Sequence, residues 1–146
     1  MTAYRTIVVG TDGSESSLRA VEKAAALAAD ESAALNIVVA YHPESAQALL
    51  SLDDQPRSDH DADAASKVLR SARSHANALG IAQVETRLVA GNPVEVLLAL
   101  VLEVDADMLV VGNRGLNSLS GRLLGSVPAD LARRAPCDVL IVHTVH

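Results

Sequence analysis

Two periodicities alternate along this chain, and that alternation limits its fold more than any other feature. Short β-branched aliphatic runs occur at Thr6 to Val9, Leu35 to Tyr41, Val84 to Val89, Met108 to Val111 and Val139 to Val142, mostly bounded by Gly, Pro or Asp. Between them the apolar residues fall at helical spacing: Leu18, Val21, Ala25 and Ala28 share one face, as do Val68, Leu69, Ala72, Ala76 and Leu79. Asn92, Pro93 and Glu95 read as a helix start, with Asn as N-cap, Pro at the first helical position and Glu completing a capping box. Strands alternating with helices predict five parallel strands joined by right-handed crossovers, with four helices on both faces: an open, doubly wound α/β sheet of order 3-2-1-4-5. Three of the runs are apolar throughout, as expected of strands covered on both faces. In Val84 to Leu88, by contrast, Glu85 and Arg87 alternate with Val84, Thr86 and Leu88, the pattern of a half-exposed edge strand.

At 146 residues, 49% of them hydrophobic, the chain has the size of one domain spanning 1–146, and no internal repeat divides it. With two Tyr and neither Trp nor Phe, the core has to be built from Val, Leu, Ile and Ala. The net charge of −6, with Lys only at positions 23 and 67, argues against a nucleic-acid partner, which would require a basic stripe. The longest aliphatic stretch, Val96 to Leu102, is far short of the roughly 18 residues that suggest a membrane span, and Met1 to Arg5 lead straight into a strand without a signal sequence. A lone cysteine, Cys137, allows no internal disulfide; at the start of the last strand it reads as a small, partly buried hydrophobe. These features together suit a cytoplasmic protein.

One connection is expected to be long: the polar stretch Pro43 to Asp61, with a broken helical turn around Ala46 to Leu52. Asp59, Asp61 and Asp63 imitate the start of a calcium loop, but the sixth position is Ala64 and the twelfth Arg70, so they read as a solvated helix start. The histidines at 42, 60, 75, 143 and 146 form no zinc motif and read as surface residues.

Glycines locate the candidate site. Six of the eight, at 10, 13, 112, 115, 121 and 125, lie just beyond the runs Thr6 to Val9 and Met108 to Val111. In an open parallel sheet, ligands bind outside the carboxyl ends of the strands where the winding reverses, and these two strands would be neighbours at that point. In Gly112-Asn113-Arg114-Gly115 and, nine residues on, Gly125-Ser126, the missing side chains let backbone N–H groups approach phosphate oxygens, and a helix starting near Ser126 would direct its positive end there. Arg114 and Arg122 can pair with phosphate charge. The same residues also fit a long Gly-rich turn capped by Ser126, with Pro128 in the first helical turn. At the first cluster, Gly10-Thr11-Asp12-Gly13-Ser14-Glu15, a carboxylate at the strand end can accept hydrogen bonds from ribose hydroxyls, although Asp12 and Glu15 also fit a helix N-cap and its third position.

The spaced loop Gly112-x2-Gly115-x9-Gly125-Ser126 resembles the signature of the ATP-binding universal stress proteins. Ile7-Val-Val-Gly-Thr-Asp-Gly-Ser-Glu-Ser-Ser17, Ala106-Asp-Met-Leu-Val-Val-Gly112 and Cys137-Asp-Val-Leu-Ile-Val-His143 extend the resemblance over nearly the whole chain. Small actinobacterial members look closest, and some of these bind cyclic AMP in the same pocket. The resemblance implies that Asp12 bonds the ribose, that the backbone at Ala40 meets adenine, and that Gly112, Gly115, Gly125 and Ser126 hold phosphates. With Gly10, Thr11, Asn113, Arg114 and Val127, these residues make up the candidate nucleotide site. It also implies a homodimer through the final strand, Val139 to Val142, whose aliphatic edge would be exposed in a sheet of order 3-2-1-4-5. Asn113 stands where Ser is frequent, and Pro128 where Ser or Ala is more usual.

The chain has neither Gly-Lys-Ser nor Gly-Lys-Thr, and no Gly-x-Ser-x-Gly elbow, so P-loop chemistry, fast hydrolysis and a catalytic set are not expected. Mg2+ can accompany ATP, but no residue pair requires a metal. The expected function is a regulatory or stress-response protein occupied by ATP or cyclic AMP. The alternatives are a slow ATPase or nucleotide-transfer enzyme using the same pocket, and an interaction module without ligand.

Overall fold

A computed structural model describes residues 3–11, 15–41, 57–113 and 126–143, with 15, 16, 41, 57–65 and 126 described in backbone only. In chain order the elements are β1 (Thr6–Thr11), α1 (Glu15–Glu31), β2 (Ala34–Tyr41), α2 (Arg57–Ala78), β3 (Val84–Ala90), α3 (Pro93–Val104), β4 (Met108–Gly112), α4 (Ser126–Arg134) and β5 (Asp138–Val142). The strands form one sheet of order β3-β2-β1-β4-β5, and every pairing is parallel. The predicted architecture and strand order are therefore those observed.

Successive side chains of a strand point to opposite faces, so a continuous aliphatic run feeds two cores at once. Ile7 and Val9 of β1 pack with Leu35, Ile37, Met108 and Val110 beneath α1 and α2, whereas Val8 packs with Val38, Leu109 and Val111 beneath α3 and α4. On α1 the buried stripe is Ala20, Val21, Ala24, Ala25 and Ala28, small residues that let the helix lie close to the sheet. The edge strand β3 is mostly half-buried, and its Arg87 reaches across to Glu103 of α3 at 2.6 Å.

Helix ends follow local chemistry. Asn92 caps α3, its Oδ1 accepting from the N–H of Val94 at 2.9 Å and of Glu95 at 3.3 Å. The Glu95 carboxylate does not complete a capping box; it accepts from Arg134 at 3.0 Å and ties α3 to α4. Ser32 and Asp105 adopt left-handed φ values of 56° and 53° after α1 and α3. The following residues close the ends, Ala33 N–H bonding Ala28 O at 2.9 Å and Ala106 N–H bonding Val101 O at 3.0 Å, as in a Schellman motif.

Two further expectations need correction. The polar connection does not reach Asp61, because α2 begins at Arg57, directly after Pro56; Asp59, Asp61 and Asp63 fall in its first turns, where acidic residues suit the positive end of the helix dipole. The proposed turn at 46–52 lies outside the described residues. Leu79 follows the last residue of α2 and is 43% exposed, so it leaves the apolar face on which Leu69, Ala72 and Ala76 are buried. Among the described residues no helix is long and apolar enough to cross a membrane.

Polar side chains fasten the amino end of the sheet. Asp107 Oδ2 accepts from the N–H groups of Arg5 at 2.8 Å and Thr6 at 3.1 Å, and Tyr4 Oη donates to Asp138 Oδ2 at 2.9 Å. The hydrogen bond to Asp138 raises the Tyr4 pKa above its ordinary value, with smaller contributions from desolvation and the neighbouring charges of Asp138 and Glu31. A phenol whose folded pKa is raised contributes stability below its unfolded pKa and loses it as pH rises through the folded value. In Asp138→Ala the Tyr4 phenol is expected to ionise at lower pH than in the wild type. Tyrosinate absorbance reads this, and Tyr4→Phe assigns the signal because Tyr41 is the only other tyrosine.

Candidate functional site

The chain runs out along β1, returns through α1, continues to β2 and β3, and then crosses back to place β4 on the other side of β1. The winding therefore reverses between β1 and β4, and the carboxyl ends of these strands flank the switch point. Register brings the candidate residues level: Thr11 pairs with Val39, one place before Ala40, and Val9 pairs with Val110, two places before Gly112. The last residues of β1 and β4 and the penultimate residue of β2 thus lie side by side at one end of the sheet. Two helices, α1 from Glu15 and α4 from Ser126, start beyond β1 and β4, with their amino ends toward that same end.

The floor of the site is shaped by absent side chains. Gly10 sits directly over Leu97 of α3, where a Cβ would come within 3.0 Å of Leu97 Cδ1 and 3.1 Å of Cδ2. Leu97 is fully buried, so the contact has little room to yield. Gly112 is also buried, in register with Val142 of β5. Ala40 is 8% exposed and Val127 is 9% exposed, the latter packed into the core beneath α3 and α4, so at both positions the backbone rather than the side chain is what a ligand would meet.

The hydroxyl of Thr11 faces inward. Thr11 is wholly buried, and its Oγ1 lies 2.6 Å from Ser17 Oγ in the first turn of α1. The backbone N–H of Asn113 is also engaged, donating to Val142 O at 2.8 Å, which extends the pairing of β4 with β5 by one residue. Asp12, Arg114, Gly115 and Gly125 lie outside the described residues, and Ser126 is described in backbone alone, as the first residue of α4. A helix starts at Ser126 as expected, with Pro128 in its first turn. The helix α1 begins at Glu15.

A groove of about 430 Å³ runs between β3 and α3, with Val89, Val96 and Leu100 on its apolar side and Arg87, Asn92 and Glu103 on its polar side. Val89 is the register partner of Ala40, so the groove opens beside the β2 side of the switch point. Cys137 is remote from the switch point. Burial is the main cause of its raised pKa, helped by the charges of Asp138 and Asp107, which suits a packing residue more than a nucleophile. His75 and His143 are exposed, and no group of three or more potential metal ligands occurs among the described residues.

Sequence reading missed two residues that shape the site, Leu97 and Ser17. Leu97 carried a signal, because a glycine ending a buried strand often marks a close approach by a neighbour. The Ser17 contact depends on how α1 is rotated over β1, which no local pattern encodes.

These features define a doubly wound α/β protein whose candidate ligand site lies at the switch point of the sheet. The profile of the universal stress protein family matches residues 3–143, and the chain belongs to that family. A universal stress protein of Mycobacterium tuberculosis is 49% identical over 146 residues, covering 99% of each chain. A putative universal stress protein of Staphylococcus aureus is 33% identical, covering 99% of this chain and 87% of its own. Among solved structures, a universal stress protein in complex with cAMP is 48% identical, with a TM-score of 0.75 over 99% of this chain and 100% of that one. The universal stress protein UspA of Lactobacillus plantarum, 21% identical and covering 95% and 97%, shares the fold with a TM-score of 0.83.

Overpacking predicts the effect of filling the floor. Gly10→Ala is expected to lower the free energy of unfolding by about 1–2 kcal/mol, the clash with Leu97 outweighing the entropy gained by removing a glycine. Denaturant unfolding should show Gly10→Ala/Leu97→Val to be more stable than Gly10→Ala alone.

Proposed function

We propose that this protein binds an adenine nucleotide, ATP or cyclic AMP, at the switch point, and acts as a non-catalytic regulatory protein of the stress response whose interactions change with occupancy. The observation that carries this reading is the convergence of Gly10, Thr11, Ala40 and Gly112 at one end of three adjacent strands, each followed in the chain by a helix. Such an end presents backbone N–H groups and positive helix poles without side chains in the way, which is what phosphate oxygens need. The 48% identical universal stress protein in complex with cAMP supports the same ligand class.

In this reading Asp12 accepts from ribose hydroxyls, the backbone at Ala40 meets adenine beside the apolar side of the β3–α3 groove, and Gly112, Gly115, Gly125 and Ser126 cradle phosphate. Thr11 and Asn113 stand at the ends of β1 and β4 in this reading, and Val127 acts through its backbone. Arg114 supplies the positive charge that an acidic protein of net charge −6 must hold locally. Bound ATP would bring Mg2+ to neutralise phosphate charge, and cyclic AMP would not. One sheet serving both cores supports a single domain, and the composition supports a cytoplasmic protein.

Calorimetric titration of nucleotide-stripped protein with ATP and with cyclic AMP tests the reading directly, since the absence of Trp makes intrinsic fluorescence a poor reporter. Saturable heat is expected with at least one ligand, and Gly115→Asp, which sets a carboxylate against the phosphates, should weaken binding at least about tenfold, or about 1.4 kcal/mol. No heat with either ligand, confirmed by a second method, would overturn it.

The edge strand β5 leaves Val139, Leu140 and Ile141 only half-buried, and an aliphatic edge of this kind invites pairing. A homodimer through β5 is the assembly proposed. Sedimentation at micromolar concentration is expected to give twice the chain mass, and a monomeric mass would contradict it.

A further inference from the structure

We propose that the outer edge of β3 is a self-complementary interface whose partner is the same edge of a second copy of this chain, paired antiparallel about a two-fold axis at Thr86. This edge lies opposite β5, so the pairing depends on neither the nucleotide reading nor the β5 dimer. β3 ends the sheet, and among the described residues no strand pairs with its outer side. Edge strands are ordinarily blunted by Pro, Lys, a bulge or short length. β3 has none of these: its seven residues, Val84 to Ala90, keep unbroken register with Leu35 to Tyr41. On one face α3 leaves a groove of about 430 Å³ along this strand.

The ladder fixes which groups face outward. The Leu35 N–H donates to Gln83 O at 2.9 Å, with Leu35 in register with Val84. In a parallel ladder Glu85, Arg87 and Val89 then turn their backbone groups to β2, and Val84, Thr86 and Leu88 turn theirs to the outer edge. The side chains divide in the same way: Arg87 meets Glu103 and Val89 packs on the α3 face, while Val84 and Leu88 pack on the α2 face.

Centred on Thr86, the sequence Val84-Glu85-Thr86-Arg87-Leu88 is its own antiparallel complement. Thr86 faces the partner's Thr86 and Val84 faces the partner's Leu88, at positions that exchange backbone hydrogen bonds. Between them Glu85 faces the partner's Arg87, and Arg87 the partner's Glu85, where side chains approach most closely. Glu85 is exposed, and Arg87 has donors left for a second carboxylate: Nη1 donates to Glu103 at 2.6 Å, and the buried Nε has no acceptor among the described residues. A slip of two residues keeps the faces and the backbone groups in phase but sets Glu85 against Glu85, or Arg87 against Arg87. Charge therefore selects this one register.

Cross-linking tests the geometry. In a Cys137→Ala background, Thr86→Cys places the two new thiols on residues whose Cα atoms stand about 5.5 Å apart across the axis, within reach of a disulfide. Mild oxidation in dilute solution is expected to convert most of this variant to a covalent dimer, whereas Ala90→Cys, whose equivalent lies at the far end of the paired strands, should stay uncoupled. Sedimentation at rising concentration tests the charges. Glu85→Arg and Arg87→Glu should each raise the dissociation constant of this contact at least about tenfold, because like charges then meet. An equimolar mixture of the two variants should restore association, since each edge again faces the opposite charge. If β5 also pairs, the β3 contact appears as mass above two chains and Glu85→Arg removes only that excess; if β5 does not pair, it is the dimer itself.

No disulfide in folded Thr86→Cys, or an equal yield from Ala90→Cys, would overturn the proposal. So would a mass that Glu85→Arg leaves unchanged at every concentration, which would assign all association to other surfaces. Circular dichroism verifies that each variant folds. If Arg87→Glu fails through loss of its bond to Glu103, Thr86→Cys and Glu85→Arg decide the outcome alone.

Discussion

The burial of β1 on both faces and both edges is the constraint on which the rest of the structure depends. Paired with β2 on one side and β4 on the other, and covered by α1 and α3, this strand has Ile7, Val8 and Val9 without solvent exposure. A strand in that position must satisfy every backbone group in the sheet and offer aliphatic side chains in both directions, which is why its sequence is a continuous run rather than an alternation. At its carboxyl end the aliphatic run gives way to Gly10 and Thr11, a residue without a side chain and one whose hydroxyl turns inward, and there the interior of the protein becomes the floor of the candidate site.

Small residues give this core its character. Without Phe or Trp, close approach replaces bulk: the alanine stripe of α1 lies over Ile7 and Val9 on one face, and Leu97 comes up against Gly10 on the other. Dense packing of this kind leaves few voids and little tolerance for added atoms.

Much of this was legible in the sequence, for physical reasons. The five strands could be read because β-branched runs bounded by Gly, Pro or Asp have few other uses, and β3 could be placed at an edge because Glu85 and Arg87 cannot be buried without partners. Asn92 capped α3 as expected, since the cap is decided by residues within one turn. The misreadings were non-local. Glu95 was drawn from its own helix end by Arg134, 39 residues further on. Leu79 left the buried face because α2 stops one residue before it. At the candidate site the strand ends could be foreseen and are brought level by the register, but Leu97 and Ser17 became neighbours of the site only through the way α3 and α1 seat on the sheet, which depends on the whole core.

The two ends of the sheet differ in how they are joined. Connections from helix to strand, at 32–33, 79–83, 105–107 and 135–137, are short, and the first and third are closed by left-handed residues at Ser32 and Asp105. Where strands β2 and β4 lead toward the helices that follow, the connections at 42–56 and 113–125 are long. Register is thus enforced at one pole, together with the Asp107 and Tyr4–Asp138 bonds. The short pole therefore acts as the gauge of the whole sheet: a single insertion at 105–107 would shift β4 by one residue and turn each of its side chains to the wrong face.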